Sequence, residues 1–272
     1  MSLGPDRWDA STGTGEANRS DRPGEPWILQ LQGVHTHIGA FHILQGVDFA
    51  VKHGEVFMLL GRNGAGKTTT LRTIMGFWKA SAGSILFEGS AISRLSTTDV
   101  ARLGVAYVPE NMGIFPHLSV RDNMLLAARQ AGSTAALDTQ RLQRIVKWFP
   151  PIERFWLAAA GTLSGGQKQM LAIGRAIIEE RKLLIVDEPS KGLAPAIVEN
   201  LLEAFMELRA EGQSILMVEQ NFALAKRLGD RVAVMDSGRI SYSGPMRALV
   251  DDESLQDALL GLDLGQRAKA NR

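Results

Sequence analysis

The chain has 272 residues, 45% of them hydrophobic, which is enough to bury a sizeable core and places it between one large domain and two modest ones. Its 30 basic and 29 acidic residues leave a net charge of +1, so no global field recruits nucleic acid or anionic lipid. Cysteine is absent, which excludes disulfides, thiolate nucleophiles and Cys-based zinc sites and makes the interior of the cell the easiest home.

In chain order, Met1 to Pro26 is rich in Gly, Ser, Thr, Asp and Arg with no apolar core, and reads as a mobile extension rather than a signal peptide. Ile28–Leu31 and Ile43–Val51 suggest short strands, the second closed by the turn His53-Gly54. Val56–Leu60 is a continuous apolar run, the pattern of a strand buried on both faces. Lys67–Phe77 carries Leu71, Ile74 and Met75 as a helical stripe, and Ser84–Glu88 and Val105–Val108 read as further strands.

Between Pro116 and Thr162 the pattern turns helical, with Val120–Gln130 and Leu137–Phe149 as helices and Pro150-Pro151 breaking the second. A helix follows Ser164. Leu183–Val186 and Ser214–Val218 are two more doubly buried strands around a helix over Ala196–Ala210. Val232–Met235 and Ile240–Tyr242 predict a hairpin at Ser237-Gly238, before a helical C-terminus and a polar tail over 262–272. Strand and helix alternate, so the class is α/β with a substantially parallel sheet. No stretch reaches the roughly 18 apolar residues that a membrane-spanning helix requires.

Three motifs carry chemistry. Gly61-Arg62-Asn63-Gly64-Ala65-Gly66-Lys67-Thr68 lies between a buried strand and an amphipathic helix. Its glycines let backbone N–H groups surround phosphate oxygens at a helix N-terminus, Lys67 can reach the β and γ phosphates, and Thr68 can offer its hydroxyl to Mg²⁺. Leu183 to Glu188 is an apolar strand ending in two carboxylates, where Asp187 would hold Mg²⁺ through water and Glu188 would orient or deprotonate an attacking water. In Leu163-Ser164-Gly165-Gly166-Gln167, a hydroxyl and two unobstructed N–H groups open a helix. The bland reading is an ordinary N-cap. The sharper one is that a second copy, facing head to tail, closes the γ-phosphate with Ser164 and Gly166.

Together these motifs resemble the nucleotide-binding subunit of an ABC transporter, from Trp27 to about Gly261. Ala160-Gly161-Thr162, Gln169 to Ala176, Asp187-Glu188-Pro189-Ser190, Gly192-Leu193-Ala194-Pro195 and Val218-Glu219-Gln220-Asn221 are similar to the ATPase subunits of branched-chain amino-acid importers. The resemblance implies a P-loop NTPase core with a mixed, largely parallel sheet, an antiparallel β subdomain and an inserted helical subdomain at about 116–162. It implies ATP and Mg²⁺ as cofactors, a homodimer or a heterodimer with a paralogous ATPase, separate integral-membrane permeases, an external solute-binding protein, no nucleic acid, and a peripheral place on the inner face of the cell membrane.

The resemblance also assigns positions. Nucleotide contacts run from Gly61 through Thr69 and, from the other copy, Ser164 to Gln167; the catalytic set is Glu188, Lys67 and Gln220; the metal set is Thr68, Asp187 and Glu110. Glu110 stands where the superfamily usually has Gln, as it does in the amino-acid importer group. Gln220 stands where His is usual; its amide can donate to the γ-phosphate but cannot titrate near neutral pH. Where relatives place an adenine-stacking aromatic there is Ile38, with His37 beside it as a substitute; in an extended segment the two face opposite ways. Three histidines, 35, 37 and 42, lack nearby acidic ligands for a metal. Lys191 replaces a commonly apolar residue and reads as a solvated lysine or a contact to a partner. The loop around Glu110, Phe115 and Pro116 is the candidate permease contact. The alternatives are a non-transport ABC ATPase of DNA repair or translation, which would bring coiled coils or a second cassette, and a P-loop kinase or switch, which would leave Leu163 to Gln167 without a task.

Overall fold

The computed structural model describes residues 27–128 and 139–260; the expected N-terminal extension, the helix ends at Gln130 and Leu137, and the polar tail lie outside them. The strands are β1 (Trp27–Ile38), β2 (Phe41–Lys52), β3 (Val56–Leu60), β4 (Ala82–Phe87), β5 (Ser90–Ala91), β6 (Val105–Val108), β7 (Leu183–Asp187), β8 (Ser214–Val218), β9 (Arg231–Asp236) and β10 (Arg239–Pro245). The helices are α1 (Lys67–Ile74), α2 (Thr97–Arg102), α3 (Val120–Ala127), α4 (Thr139–Trp148), α5 (Pro150–Arg154), α6 (Gly165–Ile177), α7 (Pro195–Ala210), α8 (Phe222–Leu228), α9 (Met246–Val250) and α10 (Glu253–Leu260).

The strands form two sheets, an antiparallel one ordered β2-β1-β4-β5 and a mixed one ordered β10-β9-β3-β8-β7-β6. In the mixed sheet only β10 runs against its neighbour. Side chains of its central strands alternate between two cores. Val56, Met58 and Leu60 join one with Leu184, Val186, Ile215 and Met217, while Phe57 and Leu59 join the other with Ile185, Leu216 and Val218. A strand covered on both faces has no polar alternation to preserve, which is why these runs read as unbroken apolar segments. The first core packs against α6, α7 and α8; the second packs against the antiparallel sheet and α1. Helices α3, α4 and α5 occupy the stretch expected to be helical and contribute Val120, Met124, Ile145 and Ile152 to the first core, with Phe149 from the junction of α4 and α5.

Several elements differ from expectation. The strand expected to end at Leu31 continues to Ile38 through a register shift near Gly33, whose N–H is taken by the Asp48 carboxylate at 2.7 Å. A bulge lets backbone pairing continue where side-chain alternation breaks. Pro150-Pro151 ends α4 but also opens α5, since a proline in the first turn forfeits no intrahelical bond. The short elements α2 and β5 were not expected; the signal for α2 was Ser96, whose hydroxyl accepts the Asp99 N–H.

Candidate functional site

Parallel strands β3, β7 and β8 end side by side, in register at Leu59, Asp187 and Val218, and the loops that leave these ends carry the sequence-singled residues. This is the carboxyl edge, where open α/β sheets bind ligands. Gly61 leaves β3 hard against β9: a Cβ there would lie 2.3 Å from the Met235 carbonyl oxygen. At the far end of the loop Gly66, with φ 108°, is the N-cap of α1, and neither a side-chain cap nor an acidic residue meets the first turn. The first N–H groups of α1 and the positive end of its dipole are thus directed into the loop, an arrangement that fits a phosphate. Lys67 is buried at 4% exposure, and its ammonium donates to the carbonyls of Gly61 at 2.9 Å and Arg62 at 3.1 Å.

Asp187 and Glu188 close the other side. Thr68 Oγ1 donates to Asp187 Oδ1 at 3.1 Å, and Tyr107 Oη donates to Oδ2 at 3.3 Å. Burial pushes the Asp187 carboxyl up to about 6; the Thr68 bond opposes this, the Glu188 charge adds to it, the Tyr107 bond opposes it and the Glu110 charge adds further. Burial and the Asp187 charge likewise raise the Tyr107 phenol. A hydroxyl beside a buried carboxyl is a hard-oxygen donor set, and it fits Mg²⁺, whose charge would favour the ionised carboxylate that burial disfavours.

Glu188 takes a positive φ of 49°, a conformation that costs a non-glycine residue about 1–3 kcal/mol. Its N–H donates to Val218 O at 2.9 Å, and this bend turns the side chain back toward the loop. Oε1 accepts from Gln220 Nε2 at 2.6 Å and lies 3.3 Å from Lys67 Nζ. Oε2 is buried with no hydrogen-bond donor aligned on it, although Lys191 Nζ stands 3.2 Å away as a charge. Burial raises the Glu188 carboxyl, but the Gln220 amide and the Lys191 and Lys67 ammonium groups outweigh it and hold the net value below the usual carboxylate range. The site therefore presents, beside a phosphate loop, an ionised carboxylate with one oxygen anchored by an amide and the other next to an ammonium but without an aligned hydrogen-bond donor. Such a group can take a proton from water.

Gln220 Nε2 also lies 2.7 Å from Asn63 Oδ1, so it ties the phosphate loop to Glu188. Glu110 is brought near but not into the loop: its carboxylate pairs with Lys191 at 2.5 Å, and its charge still reaches Asp187. Lys191, expected to be solvated or turned to a partner, is half exposed and also pairs within its own chain, because the turn after β7 aims it back across the ends of β6 and β7. Ser164 caps its own helix, accepting the Gln167 N–H at 3.3 Å while Gln167 Oε1 accepts the Ser164 N–H at 2.9 Å. Among the described residues no hydrogen bond joins 164–167 to the loop at 61–69. His37 and Ile38 end β1. His37 lies flat on His42, ring centres 4.2 Å apart at 6°, and bonds Ser81 at 3.0 Å; Ile38 pairs across the hairpin with Phe41, which is 73% exposed.

Two residues of this constellation escaped sequence reasoning. Tyr107 sits opposite Ile185, so its side chain shares a face with Asp187 two positions on; only the β6–β7 register reveals this. Glu219, 2% exposed, accepts the N–H groups of Ser190 at 2.9 Å and of Gln220 and Asn221 at 3.1 Å, binding the loops after β7 and β8 together. An acidic residue ending an apolar run was the available signal, though it does not distinguish a buried acceptor from a solvated strand end.

The ABC transporter family matches residues 44–191, more than half of the chain. This chain belongs to that family. It is 39% identical over 236 residues to the high-affinity branched-chain amino acid transport ATP-binding protein BraG of Pseudomonas aeruginosa, a match covering 86% of this chain and 100% of that protein. It is 32% identical over 222 residues to a probable branched-chain amino acid transport ATP-binding protein, LivF, of Archaeoglobus fulgidus, covering 81% and 93% of the two chains. A solved structure of an ATP binding subunit of an ABC transporter has TM-score 0.75 and 30% identity, covering 86% and 96% of the two chains. As an ABC ATPase, the protein binds and hydrolyses ATP.

Away from the phosphate loop, a cleft of 720 Å³ is lined by residues including Arg72, Phe77, Trp78, Tyr107, Met112 and Arg175. Phe77, Leu103, Phe115 and Leu118 are exposed around this part of the ABC ATPase. The Phe115 backbone is clamped from both sides by Asn123, and Arg175 stands 5.1 Å over its ring.

Proposed function

We propose that this chain is the ATP-hydrolysing subunit of an importer for branched-chain or related amino acids, working through separate permeases. The relatives named for branched-chain amino acid transport support the substrate class. The observation that carries the chemistry is Glu188, with Oε1 anchored by Gln220 beside Lys67 and Oε2 buried without an aligned hydrogen-bond donor. Residues 27–261 form the ATPase domain, with a helical insert at about 116–162; 1–26 is an extension and 262–272 a tail.

Residues Gly61 to Thr69 bind the triphosphate of the ATP substrate through backbone N–H groups and the α1 dipole, and Lys67 exchanges its carbonyl partners for β and γ oxygens. Glu188 orients a water in line with the γ-phosphorus and accepts its proton as the water oxygen bonds to phosphorus and the β–γ bridging bond breaks, releasing ADP and phosphate. Gln220 exchanges Asn63 for the γ-phosphate with one N–H and keeps Glu188 aligned with the other. Thr68 and Asp187 would hold Mg²⁺, with Glu110 reaching it or its water; bound there, the ion neutralises phosphate charge. Ser164, Gly165, Gly166 and Gln167 of a second copy, or of a paralogue, close the far side of the γ-phosphate. His37, stacked on His42, offers the adenine a flat face beside Ile38.

The exposed aromatic groups at the 720 Å³ cleft and the loop carrying Glu110, Phe115 and Pro116 form the permease contact, because an oily patch of this kind is covered in the working assembly. No described helix is long and apolar enough to cross a membrane. As the subunit that works through membrane permeases, the protein docks on the inner face of the cell membrane, and an external solute-binding protein delivers the amino acid.

The test is Glu188→Gln with ATP. Turnover should fall by about two to four orders of magnitude, the range for removing a general base, while sedimentation shows an ATP-dependent dimer. A variant that retains turnover ends the assignment of Glu188, and one that stays monomeric at saturating ATP ends reciprocal closure.

A further inference from the structure

Lys191 stands between two carboxylates from different parts of the chain. Its Nζ is 2.5 Å from Glu110 Oε1 and 3.2 Å from Glu188 Oε2. Glu110 comes two residues after β6 and Glu188 directly after β7, and these strands are parallel neighbours, so the sheet itself delivers both acids to one edge. The backbone beneath Lys191 is fixed: its N–H closes a turn on Glu188 O at 3.2 Å, and the preceding Ser190 N–H is held by Glu219 at 2.9 Å. Only the side chain spans the gap.

The charges explain the need for a cation there. Asp187, Glu188 and Glu110 bring three acids to the ends of β6 and β7. Lys67 approaches Oε1 of Glu188, leaving Oε2 to Lys191. The Glu188 side chain is 6% exposed while Lys191 is 52% and Glu110 42% exposed, so solvent screens the bridge from the lysine side and the buried Glu188 oxygen is shielded from the other.

We propose that Lys191 is a positioning residue for ATP hydrolysis: by bridging Glu110 and Glu188 it cancels the repulsion between them and fixes the direction in which Glu188 Oε2 meets the attacking water. The inference rests on Glu188 as the base. A small displacement of such a group costs rate without weakening substrate binding, because alignment of the reacting atoms is what is lost.

The decisive measurement is a charge-rescue cycle on the full chain. Lys191→Met should lower kcat about tenfold while KM for ATP stays within about twofold, and Lys191→Arg should stay near native. Because Glu110 itself reaches the metal, Glu110→Gln alone is the reference: whatever its rate, adding Lys191→Met to it should cost less than about twofold further, since the repulsion that Lys191 offsets is then gone. Independently of turnover, zero-length carbodiimide coupling of nucleotide-free protein should give a Lys191–Glu110 amide, read by mass spectrometry. Mixing isotope-labelled and unlabelled chains assigns the link to one chain or two. Native kcat in Lys191→Met, a further loss of about tenfold on adding Lys191→Met to Glu110→Gln, no Lys191–Glu110 amide, or a link formed only between chains overturns the proposal. If Glu188→Gln remains inactive in any of these cases, the base assignment survives and only the role of Lys191 fails.

Discussion

The Gln220 amide lies 2.6 Å from Glu188 and 2.7 Å from Asn63, so one side chain couples the carboxylate after β7 to the phosphate loop after β3. An amide makes this link at any physiological pH, which an imidazole would not. Gln220→Ala should cut kcat by about 10–100-fold, since Glu188 loses the donor that anchors Oε1. Gln220→His should restore part of the rate but introduce a pH dependence near the histidine range. Steady-state ATPase profiles decide this; an unchanged rate in Gln220→Ala would show that Glu188 needs no such anchor.

Asp187 supplies a pH prediction. Its folded value of about 6 exceeds the ordinary 3.8. Between those values the folded chain keeps a proton that the unfolded chain has released, so stability falls as pH rises through that window and remains lower above it. Asp187→Asn removes this loss. Urea unfolding in chelator should therefore show the variant gaining about 2–3 kcal/mol on the native chain between about pH 3.5 and about pH 8. Hydrolysis should be lost in the same variant, a trade between function and stability. A stability difference independent of pH would contradict the burial assigned to this carboxyl.

Much of this architecture was legible because its central strands obey one simple rule. Val56–Leu60, Leu183–Asp187 and Ser214–Val218 are buried on both faces and bounded by glycine or charge, so local composition sufficed. The phosphate loop was legible because its function depends on residues adjacent in sequence. Tyr107 and Lys191 were not, since each acquires its partner from strand register and a turn after β7. The strand expected over Ile28–Leu31 runs further, because a bulge at Gly33 stabilised by Asp48 carries β1 onward. Long-range pairing, rather than composition, decides such cases.

Glu219 should prove a structural weak point of the site. Its buried carboxylate accepts three backbone N–H groups, from Ser190, Gln220 and Asn221. Glu219→Ala leaves all three without their acceptor, at a cost of about 3–5 kcal/mol. Glu219→Gln keeps one acceptor oxygen and should lose roughly half of that. Calorimetry gives the stabilities, and kcat should fall with them because Gln220 is released. A Glu219→Ala chain as stable as native would mean that water readily replaces the carboxylate.

The final prediction separates two candidates for the adenine face. His37 stacks on His42 and turns its other face outward, whereas Phe41 is 73% exposed on the adjoining strand as the partner of Ile38. If the base stacks on His37, His37→Ala should weaken ATP binding by about 0.5–1.5 kcal/mol, roughly a two- to tenfold rise in Kd. His37→Phe should bind at least as tightly as native, because a phenyl ring retains the stacking surface. Phe41→Ala should then leave Kd unchanged. Fluorescent-nucleotide titration distinguishes the cases: loss in Phe41→Ala with native binding in His37→Ala would move the platform across the hairpin, to a ring that sequence order alone places three residues past the expected position.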